Sequence, residues 1–87
     1  MKVNKNFICK HVLDNDILID IKNNSKVVYK LNETSKYIFD LIVDGETLEE
    51  IINDVKVRYN IDLVTASRDV TEFIDKLEQL KVVKQWY

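Results

Sequence analysis

"KVVYKLNETSKYIFDLI", residues 26–42, changes period in the middle: polar and apolar residues alternate as far as Leu31, and from Asn32 the apolar residues recur at helical spacing. The first half reads as a strand with Val27, Tyr29 and Leu31 on one face and Lys26, Val28 and Lys30 on the other. The second half reads as a helix capped by Asn32, with Glu33 in its first turn, an inner stripe of Ile38, Leu41 and Ile42 beside Phe39, and Gly45 at its end. This junction divides the chain, with strands before it and helices after it.

Ahead of the junction, Phe7 to Val12 is one strand candidate, and "ILIDI" (residues 17–21) sets Ile17, Ile19 and Ile21 on one face of another. The connectors "LDND" and "KNNS" are rich in Asn and Asp, which tolerate left-handed backbone and bond locally, so a three-stranded antiparallel meander is expected. Behind the junction, "TLEE" (residues 47–50) is a capping box for a second helix carrying Leu48, Ile51, Ile52, Val55 and Tyr59 and closed by Asn60. A third helix from about Thr65 to Leu80 buries Ala66, Val70, Phe73, Ile74, Leu77 and Leu80 and leaves Arg68, Glu72, Asp75 and Gln79 outside. The tail "VVKQWY" reads as a last short strand, with Trp86 and Tyr87 covering a core edge or meeting a partner. The expected fold is α+β, a three-stranded antiparallel sheet followed by three helices, resembling a winged helix-turn-helix.

Composition bounds the rest. A chain of 87 residues, 46% of them apolar, with no repeat, no Pro and no linker, implies a single domain over residues 1–87. Such a domain buries roughly 60 to 65% of its unfolded surface. The lone Cys9 has no disulfide partner, and there is neither a signal peptide nor an apolar run of about 18 residues, so a cytoplasmic location and no membrane partner are expected. Net charge is −2 but unevenly spread: residues 1–31 hold six Lys against three Asp, and residues 32–87 hold seven basic against twelve acidic side chains.

Catalytic groups are sparse. Cys9 and His11 stand two apart without further partners, so no metal is expected, and Glu49, Glu50 and Asp54 read as the solvated side of the second helix. Without a glycine-rich phosphate loop or a Ser/His/Asp or Cys/His arrangement, neither an enzyme nor a cofactor is expected. The third helix sets Asp69, Glu72, Asp75 and Glu78 against Arg68, Lys76 and Lys81. Phosphates repel a net negative helix, which argues against nucleic acid as a partner; a winged-helix DNA-binding domain, or a general protein-interaction module, is the alternative reading.

"YKLNETSKYIFDLIVDGETLEEIINDV", then "RYNID" and "RDVTEFIDKLEQLKVV", together resemble the PqqD-like family of pyrroloquinoline quinone biosynthesis chaperones, also called the precursor-peptide recognition element. The resemblance spans about residues 16–83 and rests on Leu31, Asn32 and Thr34, the pair Ile38 and Phe39, the turn Asp44–Gly45, the "TLEEI" helix start, and Asp69, Val70, Phe73 and Leu77. Ser35 stands where the family often has Ala, and Phe39 where it often has Trp.

What the resemblance implies is a non-catalytic peptide chaperone. Such adaptors bind the leader segment of a ribosomally made precursor, lasso peptides among the products, and present it to a maturation enzyme such as a radical-SAM maturase, a leader peptidase or a cyclase. The leader adds to the edge of the third strand, and its side chains enter the cleft beside the third helix. On this sequence the docking strand is Lys26, Val27, Val28, Tyr29, Lys30 and Leu31, and the facing helix contributes Asp69, Phe73, Lys76 and Leu77. An edge strand offers unpaired main-chain donors and acceptors, and Lys at its ends hinders pairing between two copies, which suits a monomer or weak homodimer. The same lysines would attract an acidic leader.

Overall fold

The computed structural model describes residues 1–84. In chain order they form β1 (Lys2–Val3), β2 (Phe7–Val12), β3 (Asn15–Asp20), β4 (Lys26–Leu31), α1 (Glu33–Val43), α2 (Leu48–Tyr59), α3 (Leu63–Gln79) and β5 (Val83–Lys84). β2, β3 and β4 make the antiparallel meander, with β3 central and β2 and β4 as edges. The fold is therefore the α+β arrangement expected from the sequence. β1 pairs antiparallel with β5, Lys2 opposite Lys84 and Val3 opposite Val83. β1 was not expected, because two residues carry no readable period. β5 is the described part of the expected terminal strand; Gln85, Trp86 and Tyr87 lie outside the described residues.

Two strand faces differ from the sequence reading. Leu18 is fully buried and Ile19 nearly so, whereas Ile17 is half-buried and Ile21, 46% exposed, falls in the turn beyond β3. In a run of consecutive aliphatic residues, period two cannot tell which phase faces the core. In β4 the register slips: Leu18 faces Tyr29 while its neighbour Ile19 faces Val27, so Val28 is an extra, bulged residue. The bulge turns Val27, 53% exposed, away from the face that Tyr29 and Leu31 share. Alternation over Val27, Tyr29 and Leu31 is thus broken at Val28.

The helices begin where side chains satisfy their free amides. Asn32 Oδ1 accepts from the Ser35 N–H at 2.8 Å, and the Asn32 N–H donates to Ser35 Oγ at 2.8 Å, which buries Ser35 in a reciprocal cap. Thr47 and Glu50 form the same box on α2. α3 starts two residues earlier than the periodicity suggested, because Asp62 caps it by accepting from the Thr65 N–H at 2.7 Å. That places Leu63 and Val64 on an exposed first turn, and Leu80, expected inside α3, becomes its half-buried C-cap. α1 ends in a Schellman arrangement: Gly45, at φ 85°, donates to the Ile42 carbonyl and Glu46 to the Leu41 carbonyl.

One apolar core joins the layers. Leu18 and Leu31 from the sheet meet Ile38 and Ile42 of α1, Ile51 and Val55 of α2, and Val70, Ile74 and Leu77 of α3. Each such side chain contributes about 1.5 to 3 kcal/mol on full burial. The Asn4 N–H donates to the Val82 carbonyl at 2.8 Å, tying the start of the chain to the segment after α3.

Candidate functional site

The phase of the β-ladder decides which main-chain groups are free. Ile21 donates to the Asn6 carbonyl, and hydrogen-bonded pairs then recur every second residue along β2 and β3, so Ile19 and Ile17 face β2. Leu18 and Asp16 therefore bond to β4, through Tyr29 and Leu31. The N–H and C=O of Lys30, opposite Ile17, point away from the sheet. Among the described residues β4 has no strand on that side, so its open edge is available to an added strand.

Beside this edge lies a cleft of about 500 Å³ between the end of β4, the start of α1 and one flank of α3. Its floor is aromatic: the Tyr29 and Phe73 rings stand 6.0 Å apart between centroids, tilted by 47°. One end is formed by the α1 cap, with Asn32, Thr34, Ser35 and Ile38. Asp69, Glu72 and Lys76 form the wall on α3.

The residues expected at a site divide accordingly. Tyr29, Asp69, Phe73 and Lys76 come together in the cleft. Leu77 does not: it is fully buried and supports α3 from beneath. Lys30 lines a separate groove with Asp16, Lys36 and Arg58, on the opposite side of β4 from the Tyr29 ring. Val28 is half-buried at the bulge, Leu31 is buried, and Lys26 and Val27 are exposed before the bulge, none of them lining the cleft. Asn32, Thr34, Ser35, Ile38 and Glu72 line it unforeseen. The capping pair could have located the first four, and a helical spacing of about 100° per residue puts Glu72 on the rim outside Asp69.

Charge in the cleft is carried by α3. Asp69 contacts the Arg68 guanidinium at 3.6 Å, a long and exposed pair that contributes little. Neither Glu72 nor Lys76 is in an ion pair with a described residue. Elsewhere, burial pushes the Cys9 thiol up, and the bond from Lys36 to Asp40 at 2.7 Å raises the lysine. Interaction with the Asp54 carboxylate, its hydrogen bond first, raises Glu46 to about 7. Among the described residues, no group of three or more His, Cys, Asp or Glu could hold a metal ion, and no helix is long and apolar enough to cross a membrane.

A three-stranded sheet whose β4 edge lies open beside a cleft-forming helix is the frame of a known class of small α+β proteins. The chain belongs to the PqqD family, coenzyme PQQ synthesis protein D, whose model matches residues 17–83. The fold is similar to that of TbiB1 in complex with the TbiA(beta) leader peptide, with a TM-score of 0.85 and 22% identity over 100% of this chain and 99% of that one. It is also similar to lasso peptide synthetase B1 complexed with the leader peptide, with a TM-score of 0.78 and 17% identity over 90% of this chain and 89% of the other. No curated protein matches the sequence.

Proposed function

We infer that this chain is a non-catalytic adaptor that binds the leader segment of a ribosomally synthesised precursor peptide and presents it to a maturation enzyme. The observation that carries the reading is the outward main chain of Lys30 beside the Tyr29–Phe73 floor. A leader lying along β4 pairs its backbone there and drops alternate side chains into the cleft, so main-chain bonds supply affinity and the cleft supplies selectivity. Membership of the PqqD family supports it, as does the likeness to two folds bound to leader peptides. The domain acts as one unit in the cytoplasm, where its ribosomal partner is made, and delivers the leader to a radical-SAM maturase, a leader peptidase or a cyclase. Its role needs no cofactor of its own.

Calorimetric titration with the cognate leader, lacking its core, tests the reading. The expected Kd lies between about 10 nM and 10 μM, or roughly −7 to −11 kcal/mol. Amide exchange at Lys30 should slow on binding. No heat at high micromolar peptide, with unchanged exchange along β4, overturns it.

A further inference from the structure

The lysines of β4 suggest an acidic ligand, but their side chains are not in the cleft. Lys30 lines the groove on the other side of the strand, and the cleft itself holds two carboxylates, Asp69 and Glu72, against one ammonium, Lys76. At about 100° per residue, Phe73, Asp69, Lys76 and Glu72 follow one another from the base of the α3 wall to its rim. Phe73 lies one helical turn from Asp69, about 6 Å along the axis, close to the roughly 6.8 Å between same-face side chains of an extended chain. For a leader running along α3, one residue over the aromatic floor therefore brings the residue two positions away to Asp69, with Glu72 on the rim between them.

We propose that the cleft selects a cationic side chain, Lys or Arg, two residues from the apolar side chain that sits on Tyr29 and Phe73. This rests on the leader-binding reading and adds to it the charge of the leader's second seat. An ammonium or guanidinium at that seat meets Asp69, whose contact with Arg68 is long and exposed, with Glu72 on the rim beside it, whereas a carboxylate there meets like charge and is rejected. Lys76 lies beyond Phe73 on the other side, so a neutral or acidic residue is tolerated at that end.

The test is selection from a displayed library of randomised short peptides, on the wild-type chain and on the double variant Asp69→Lys with Glu72→Lys. Wild-type selection should return sequences with Lys or Arg two positions from an aromatic or aliphatic residue, and the variant should return Asp or Glu there. Replacing that cation by Glu in a selected peptide should weaken binding to the wild type by at least about tenfold and strengthen binding to the variant. Circular dichroism confirms that the variant is folded. Peptides that slow exchange at Lys30 but show no charge preference in either selection overturn the charge assignment and leave leader binding intact. A library that yields no peptide protecting β4 overturns both.

Discussion

Tyr29 and Phe73 face each other at 6.0 Å, joining the open edge strand to the third helix at the floor of the cleft. Because Phe73 is also a core residue, binding and stability have to be separated there. Phe73→Leu should cost about 1 to 2 kcal/mol of stability yet weaken leader binding beyond what a folded protein of that stability explains. Ile74→Val, one residue on and fully in the core, should cost about 1 kcal/mol and leave affinity unchanged. Urea unfolding and calorimetry on both variants check this.

At Lys30 the main chain and the side chain can be tested apart. Lys30→Ala should bind leader nearly as the wild type does. Lys30→Pro removes the outward N–H without breaking a β3–β4 bond, so it should fold and fail to bind. Normal binding by the proline variant would move the docking edge elsewhere.

The flank of α3 offers a third comparison. Asp69→Ala should lower leader affinity while changing stability by less than about 0.5 kcal/mol. Thr71→Ala, on the exposed opposite flank, should change neither. Leu77→Ala should cost about 2 to 5 kcal/mol and reduce binding only through unfolding.

Protonation should tune stability at two helix starts in opposite directions. Glu46, raised to about 7 by its interaction with Asp54, contributes stability below its ordinary 4.5 and loses it as pH rises through 7. Glu46→Gln keeps a donor for Asp54 and should flatten the fall in Tm across that window. Asp62 is held below the usual carboxylate range by Thr65, so its contribution is present above that range and disappears as pH falls through its lowered pKa. Melting curves from acid to mildly alkaline pH should show both effects.

The α1 cap is reciprocal, so its two halves should not add. Asn32→Ala and Ser35→Ala should each cost about 1 kcal/mol, a fall in Tm of roughly 4 to 8 °C for a domain of this size, and the double variant less than the sum. Thermal unfolding of the three variants measures the coupling.

The strand-to-helix switch at Asn32, the capping box at Thr47 and the helical spacing of Val70, Phe73, Ile74 and Leu77 are local signals, so element order and helix faces could be read directly. The Asp69, Phe73 and Lys76 flank was legible for the same reason, being a matter of angle around one helix. The choice of Ile17, Ile19 and Ile21 failed because neighbouring aliphatic residues leave the phase of a strand open until a sheet packs against the helices. β1 went unseen because its pairing with β5 joins the two ends of the chain.

Sequence alone determined three strands before three helices and where the first two helices begin, because capping and periodicity act over a few residues. Tertiary structure decided that β4 is an edge, that Val28 bulges, that the backbone groups of Lys30 point outward from that edge, and that the cleft carries carboxylates rather than the lysines of β4. These depend on which strand pairs with which, and in what register, and that is fixed only when distant parts of the chain compete for the same buried surface.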